Sequence, residues 1–424
     1  MFKKITLENG LRILTAPMQG TNTVTVLIMC GTGSDFETKP ENGISHFLEH
    51  MFFKGTTKRP NAKAIREELD GMGSLSNAFT DHETTGYYIK AGKPYTERAL
   101  EILADIYKHS IMPVEEIERE KQVVVEELHL RRDTPTTYIG EMWERLLYGD
   151  QPAGREVGGS EETIRMLNRD GLLEYFGHQY VAVNTAVVVT GSINEDETIT
   201  RIGALFSDIR HSQPQRTKPP LREAQQEPQL LTVEKKTDQT HLLVGFRGYD
   251  AFQPGRYAAE LLATVLGGSW SSRMFSRIRE ELGLAYAVST DCDYYSNRGA
   301  MVTYAGVAHE NVAKAVGAIL EEYRRIRDEA VGMDELNRTR DFLKGRTLMS
   351  LEASNAVASF VGGEEMLTGK PVTVDEVFAR IDAVQPDDMQ KVAAELLRPE
   401  RLNLAVLGPD VTARRLQPLL ETFS

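Results

Sequence analysis

Cysteine is scarce in this 424-residue sequence, which contains only Cys30 and Cys292, far apart and without a Cys-x-x-Cys pair. We therefore expect two free thiols, and neither a disulfide framework nor a thiolate metal site. Long apolar runs are also missing, since no stretch reaches the ~18 residues of a membrane-spanning helix. The segment from Met1 to Gly10 turns polar before a signal-peptide core could form, so we expect a cytoplasmic location and no membrane partner.

Basic residues are in the minority, with 49 Lys and Arg against 62 Asp and Glu, and the formal net charge is -13. A nucleic acid is therefore not an expected partner. Hydrophobic residues make up 41% of the chain and charged residues 26%, which is typical of a globular protein. The length is too great for one ordinary core, so we expect two or more domains.

Histidine is uncommon too, with nine in the chain, yet His46 and His50 stand four residues apart. Glycines at both ends of residues 43–55 can start and stop a helix. On a helix the two imidazoles share one face, and Glu49 leans to the same side. Imidazoles bind zinc, and a nearby carboxylate can take a proton from a water that the metal has acidified. The order His-x-x-Glu-His is the inverse of the commoner zinc-protease motif.

A surface helix with two chance histidines is the alternative interpretation. The neighbouring residues Phe47, Leu48, Met51, Phe52 and Phe53 are apolar, which favours a largely buried helix. Buried imidazoles and a buried carboxylate need partners, and this requirement favours the metal.

A second helix, predicted over residues 115–132, offers a third ligand. Glu116, Glu120, Val123 and Glu127 fall on one face at helical spacing. An acidic helix face is usually only solvated. A zinc site with two histidines still needs another protein ligand, however, and two histidines with one glutamate form an established catalytic set.

An internal repeat divides the chain. Gly191 and Gly408 end similar apolar runs, and their offset, 408 − 191 = 217, also places Asp170 on Asp387. We therefore predict two equivalent halves, with domains at residues 1–209 and 230–424 and a Pro/Gln-rich linker at 210–229. The second half has no counterpart of the histidine motif. Its single histidines, His241 and His309, are interpreted as structural.

Over essentially its whole length the chain resembles the pitrilysin/insulinase family of inverted zinc metallopeptidases, in its short bacterial and mitochondrial-processing-peptidase-like branch. In this family the glutamate ligand lies about 77 residues after the second histidine. In this sequence the same spacing from His50 leads to Glu127, since 127 − 50 = 77. This match favours Glu127 over Glu126. The family also has a glutamate seven residues earlier, here Glu120, which is expected to orient a histidine from outside the ligand set.

The resemblance implies further site residues. Residues 73–80 look like the family's edge strand that receives an extended substrate, although an ordinary edge strand is the alternative. Arg279 and Tyr286, seven residues apart, match the family's Arg and Tyr pair, with Tyr286 as oxyanion donor and Arg279 holding a substrate carbonyl or carboxylate. The expected substrate-binding residues on the strand are Ser76, Asn77, Ala78 and Phe79.

The implied fold is α+β, with two homologous halves that each have a mixed, mostly antiparallel sheet with helices on one side, arranged as a metallopeptidase clamshell. The implied activity is zinc-dependent endopeptidase cleavage of short or unfolded peptides in a closed chamber. One zinc ion per chain is held by His46, His50 and Glu127, and Glu49 is the general base for the metal-activated water. A homodimer is the implied working unit.

Two alternatives are a processing-peptidase subunit that needs a different partner chain and a catalytically silent scaffold that binds peptides. Silent relatives typically lack a ligand or the base. Here the set His46, Glu49, His50, Glu127, Arg279 and Tyr286 is complete, which disfavours the silent scaffold. Non-catalytic partner chains in this family have a longer glycine-rich loop in place of the histidine motif. This chain has the motif and only Gly267-Gly268, which favours a self-sufficient enzyme.

Overall fold

The computed structural model describes residues 2–423, which form two compact units. Each unit is built from three segments of the chain. Unit 1 contains Met1–His129, Arg155–Pro219 and Met349–Thr373, and unit 2 contains Leu130–Gly154, Pro220–Leu348 and Val374–Ser424. None of the helices in the described part is long and apolar enough to cross a membrane.

Unit 1 is organised around a six-stranded sheet in the order β1-β2-β6-β3-β5-β4. Only the β2–β6 pair is parallel, so the sheet is mixed and mostly antiparallel. Strand β4 forms one edge, where its outer main-chain groups are not paired with another described strand. The strands are β1 Lys3–Thr6, β2 Arg12–Pro17, β3 Thr23–Cys30, β4 Leu75–Thr80, β5 Thr85–Gly92 and β6 Thr185–Gly191.

The sheet of unit 1 has helices on both faces because its central strands are apolar on both sides. In β3, Val26 and Ile28 face the large core beneath most of the helices, whereas Leu27 and Met29 face the opposite side. Among the helices of residues 2–423, only α12 covers that opposite side. The helices of unit 1 are α1 Ile44–Phe52, α2 Ala62–Gly71, α3 Thr96–His109, α4 Val114–Asp133 (to residue 129), α6 Glu161–Met166, α7 Arg169–Gln179, α8 Glu195–Leu205 and α12 Ser354–Thr368.

Buried polar contacts anchor α12 to its sheet. The carboxylate of Glu365 is fully buried and pairs with Lys4 at 2.7 Å and Arg12 at 3.2 Å. At the helix start, the hydroxyl of Ser354 lies 2.8 Å from that of Thr25 on β3. These contacts fix the helix at both ends.

Unit 2 repeats this architecture with a five-stranded sheet in the order β7-β11-β8-β10-β9. Its one parallel pair is β7–β11, and β9 is an edge strand. The strands are β7 Gln229–Glu234, β8 Thr240–Arg247, β9 Ala285–Tyr294, β10 Gly299–Val307 and β11 Leu402–Gly408. The predicted structural histidines lie on or beside this sheet, where His241 bonds Tyr304 (2.9 Å) and His309 bonds Thr240 (2.9 Å).

The helices of unit 2 also lie on both faces of the sheet. One large core joins most of them to β8 and β10, and a smaller core on the opposite face holds α5. The helices are α5 Pro135–Tyr148, α9 Arg256–Ala263, α10 Val312–Asp328, α11 Met333–Ser350 (to residue 348), α13 Val374–Ala383, α14 Pro386–Leu396 and α15 Ala413–Glu421. Helix α9 runs on into a π-helical turn at Thr264–Gly268, and a second π-helical segment occupies Phe275–Glu281.

The predicted α+β fold and internal duplication are confirmed. Strands β3 and β8 start 240 − 23 = 217 residues apart, and β6 and β11 start 402 − 185 = 217 apart. Two details differ from the prediction. Helices cover both sides of each sheet rather than one side, because both faces of the central strands are apolar and must be covered.

The units also differ from the predicted contiguous domains at residues 1–209 and 230–424. Residues 130–154 belong to unit 2 and residues 349–373 to unit 1, so each half of the chain supplies one helix to the unit of the other half. The predicted linker is ordered as well. Its first part is held in unit 1, where Arg216 N–H donates to Gln179 (2.9 Å). Its second part is held in unit 2, where Arg222 N–H donates to Gln151 (2.8 Å).

Candidate metal centre

Helix α1, which carries the histidine motif, is fixed at its start by a buried carboxylate. Glu37 accepts hydrogen bonds from the main-chain N–H groups of Gly43 (2.7 Å) and Ser45 (2.8 Å), which are otherwise unpaired at a helix N-terminus. Burial raises the pKa of Glu37, and these hydrogen bonds oppose the rise. Gly43 has φ of 97°, a left-handed conformation that favours glycine. Apolar residues of α1 then bury the helix in the core, including Phe47 and Leu48.

The predicted ligands converge. One ligand atom from each of His46, His50 and Glu127 lies within 4.8 Å of the other two, in the single such group found in residues 2–423. His46 Nε2 is 3.4 Å from Glu127 Oε1, and His50 Nε2 is 3.3 Å from Glu127 Oε2. Ligand atoms ~2.0–2.1 Å from a tetrahedral zinc ion stand roughly 3.3 Å apart. The donor types therefore fit zinc, and so do the two histidine–glutamate spacings.

The electrostatics of these residues also fit a cation. Hydrogen bonds to His46 and His50 hold the pKa of Glu127 far below its usual range, so this carboxylate is ionised. Burial alone would lower the pKa of His50, but hydrogen bonds to Glu120 and Glu127 raise it to about 9. Positive charge is thus favoured between these side chains, and a metal ion can supply it when His50 releases its proton.

Glu120, predicted to orient a histidine, does so for His50. Its Oε1 lies 2.9 Å from His50 Nδ1, so an ionised Glu120 accepts the Nδ1 proton and leaves Nε2 for a metal. Burial opposes ionisation of Glu120, but bonds to His50 and Lys54 lower its pKa overall. Lys54 Nζ is 2.5 Å from Glu120 Oε2. Lys54 is not among the predicted site residues, although its position four residues after His50, in the turn that follows α1, is a usable signal.

The two histidines are held differently. The Nδ1 atom of His46 is buried and has no hydrogen-bond partner within the described part of the chain. Gly158 lies beside it, and a Cβ at that position would be 3.7 Å from His46 Nδ1. Packing therefore holds the Nδ1 side of the His46 ring, whereas its Nε2 side faces Glu127 at 3.4 Å.

Glu49, the predicted base, is half-buried on α1 and contacts strand β4. The hydroxyl of Thr80 donates to Glu49 Oε2 at 2.6 Å, which is within the range of a strong bond to a carboxylate. Thr80 was not among the predicted site residues. It is the last residue of the strand predicted to bind substrate, so its contact with the helix could have been suspected from its position.

Strand β4 is the predicted edge strand, but its four predicted residues do not share one face. Ala78 packs against the core on the α1 side, whereas Phe79 packs on the α12 side with its ring against Gly86. Ser76 and Asn77 are exposed, and Asn77 Oδ1 accepts the main-chain N–H of Ala78 (3.0 Å). Substrate binding by this strand stays a prediction, and Phe79 is placed to support the strand.

Arg279 and Tyr286 lie together in unit 2. The guanidinium carbon of Arg279, in the π-helical segment, is 4.5 Å from the ring centroid of Tyr286 and 4.7 Å from that of Phe275. Tyr286 is near the start of edge strand β9 and is 76% exposed. Their proposed roles in substrate binding stay predictions.

Comparisons with known proteins were made for the whole chain. Residues 12–161 match the family model described as "Insulinase (Peptidase family M16)", and residues 166–343 match "Peptidase M16 inactive domain". All three predicted metal ligands and Glu49 lie in the first of these matches.

Curated relatives match nearly end to end. The chain is 34% identical to the "Uncharacterized zinc protease YmxG" of Bacillus subtilis over 96% of its length and 98% of the relative's. It is 33% identical to an "Uncharacterized zinc protease" of Rickettsia bellii over 95% and 97%. Among solved structures, a protease from Helicobacter pylori has a TM-score of 0.88 at 20% identity, covering 96% of this chain and 100% of that one. This last similarity concerns the fold.

Proposed function

Because the chain belongs to the insulinase family of peptidases, peptidase family M16, we propose that it is a zinc-dependent endopeptidase. The observation that carries this proposal is the convergence of His46, His50 and Glu127, with Glu49 on the same helix as both histidines. A carboxylate beside a metal site is the arrangement that peptide hydrolysis by an activated water requires.

Each residue of the centre has a proposed part. When bound, zinc supplies a Lewis acid that acidifies water and polarises a carbonyl group. His46, His50 and Glu127 would hold it, and Glu120 keeps His50 in the tautomer that presents Nε2. Glu49 accepts the proton of the attacking water. Its Oε2 is held by Thr80, and Oε1 has no hydrogen-bond partner among residues 2–423, so Oε1 is the atom available to take the proton.

We propose short or unfolded peptides as substrates. The exposed edge strand β4 can pair with an extended peptide backbone, which gives affinity with little demand on sequence. Tyr286 is proposed to donate a hydrogen bond to the developing oxyanion, and Arg279 to hold a substrate carbonyl or carboxylate. The tyrosine is exposed and the arginine lies against its ring, which supports this proposal. A closed chamber would exclude folded proteins. Equal cleavage of a folded protein and of its own fragments would argue against that selection.

The two alternatives predicted from the sequence are addressed by the same residues. A silent scaffold has no need of an ionised Glu120 and a fixed Glu49 around three converging ligands, so this geometry favours an active centre. A processing subunit that requires a different partner chain would keep the same centre. A homodimer is our proposal for the working unit, and sedimentation velocity of the purified chain tests it.

The experiment is cleavage of a quenched fluorescent peptide mixture by the zinc-loaded wild type, by Glu49→Gln and by the control Glu126→Gln. Glu126 is a neighbour of the ligand Glu127 but is 79% exposed. We expect the wild type and the control to cut, a chelator to stop both, and Glu49→Gln to bind zinc without cutting. If the wild type binds zinc but cuts no peptide, the scaffold or partner-dependent function replaces the endopeptidase.

A further inference from the structure

The hydrogen bond between Thr80 and Glu49 joins two parts of the centre that the motif does not connect. Glu49 lies on helix α1, and Thr80 is the last residue of edge strand β4. Their 2.6 Å contact is between side chains that are 31 residues apart in sequence. It links the base of the proposed reaction to the strand proposed to hold the substrate.

The two partners differ in stiffness. A glutamate side chain has three rotatable bonds, and the half-buried Glu49 has no hydrogen-bond partner other than Thr80 among the described residues. Threonine is branched at Cβ and has a restricted χ1 angle. The strand backbone around Thr80 is also fixed by pairing with β5, in which Thr80 is opposite Thr85. The Thr80 hydroxyl is therefore a rigid donor, and the glutamate is the part that it restrains.

The direction of the bond selects one carboxylate oxygen. The hydroxyl of Thr80 donates its proton, and Oε2 of Glu49 accepts it. Oε1 then remains as the oxygen that can accept a proton. A carboxylate that rotated freely would spend part of its time with neither oxygen correctly placed, and small misplacements of reacting groups are costly in rate.

We propose that Thr80 is a positioning residue for the proposed peptidase reaction, holding Glu49 so that Oε1 faces the reacting water. This inference rests on the proposed function, and Thr80 itself touches neither metal nor substrate. Since the hydroxyl and not the methyl group of Thr80 makes the bond, serine should replace threonine and valine should not.

The test compares zinc-loaded Thr80→Val, Thr80→Ser and the control Thr84→Val on a single fluorescent peptide. Thr84 lies in the turn that follows β4, and its hydroxyl has no hydrogen bond within the described residues. We expect Thr80→Val to lower kcat about 10- to 100-fold with KM and zinc affinity within about twofold of the wild type. Thr80→Ser should restore most of kcat, and Thr84→Val should match the wild type.

Several results would overturn the proposal. An unchanged kcat in Thr80→Val would show that the bond is not needed. Equal losses in the serine and valine variants would assign the effect to packing of the methyl group. A parallel loss of zinc affinity would assign it to the metal ligands.

Crystal structures of the metal-free wild type and of the valine and serine variants give a readout that does not depend on activity. We expect Glu49 to leave its wild-type rotamer only in Thr80→Val. If Glu49 does not move in Thr80→Val, the positioning role is rejected, whether or not the wild type cuts peptides. If Glu49 moves in the variant but the wild type cuts no peptide, only the peptidase function is rejected. Should the valine variant fail to fold, Thr80→Ala gives the same comparison.

Discussion

The two units share one architecture but differ at one helix, which follows β3 in unit 1 and β8 in unit 2. In unit 1 this helix is α1, with His46, Glu49 and His50. In unit 2, the offset of 217 residues that relates β3 to β8 places Ala263, Leu266 and Gly267 at the same positions. Helix α4, which carries Glu120 and Glu127, differs from its counterpart in the same way. That counterpart is α11, which has no carboxylate after Asp341 and therefore none at the position of Glu127.

This difference shows that the fold and the centre are specified by separate sets of residues. The apolar residues of the strands and helices occur in both units and produce the same mixed sheet twice. The predicted ligands, Glu120 and Glu49 lie in unit 1, on two helices that the shared architecture brings together in any case. Removing the polar set should therefore leave the fold intact.

Replacing Glu127 should have the largest effect. We expect Glu127→Gln to weaken zinc binding by more than about 100-fold, because even residues that only orient ligands are worth about 10- to 100-fold. Unit 2 offers no second group of three ligands in the described residues, so no tight zinc should remain. Competition with a chromogenic chelator measures the affinity. Zinc that still bound tightly to Glu127→Gln would contradict the difference between the units. The control Glu126→Gln should bind zinc as the wild type does.

Tyr286 tests whether unit 2 takes part in the chemistry or serves only as structure. If its hydroxyl stabilises a developing oxyanion, Tyr286→Phe should lower kcat about 100-fold, which is the usual loss for one such donor. Zinc affinity should not change. The control is Tyr304→Phe, which removes a hydroxyl bound to His241 on the same sheet. An unchanged kcat in Tyr286→Phe would restrict the proposed reaction to groups of unit 1.

Glu365 tests the exchange of helices between the halves of the chain. Glu365→Ala leaves Lys4 and Arg12 without their buried partner, which should destabilise unit 1 by about 2 to 3 kcal/mol. The estimate is below the usual cost of about 3 to 5 kcal/mol for breaking a buried pair because both cations are partly exposed. Chemical denaturation measures the change, with exposed Glu352→Ala as control. A loss below about 0.5 kcal/mol would mean that apolar packing alone holds α12.

The sequence predicts some of these features and not others, for physical reasons. The spacing of His46, His50 and Glu127 follows from helix periodicity and from a family pattern, and the three side chains lie together as this spacing predicts. Their role as metal ligands stays a prediction. The position of α12 depends on which apolar sheet face is left uncovered, and an apolar helix pattern does not identify its partner. Lys54 and Thr80 act through single side-chain contacts with separate elements, and the only sequence signal for them is their position close to predicted site residues.

The smallest expected effect concerns a carboxylate in unit 2 that has no metal-centre role. Glu260 on α9 is largely buried, and burial together with Asp291 raises its pKa from 4.5 to about 7, against the opposing effects of Tyr294 and Arg256. The folded state therefore binds more protons than the unfolded state between these pH values, so stability falls as pH rises from about 4.5 to 7 and stays reduced above that.

Glu260→Gln removes this ionisation. We expect the variant to be more stable than the wild type by about 1 to 2 kcal/mol at pH 8 and about equal to it at pH 5, since the full shift corresponds to roughly 3 kcal/mol before relaxation of the site. Denaturation at both pH values, with exposed Glu310→Gln as control, measures the difference. An equal effect at pH 5 and pH 8 would show that the amide changes packing rather than charge. A higher stability of the variant at pH 8 but not at pH 5 would show that ionisation of the buried Glu260 destabilises unit 2.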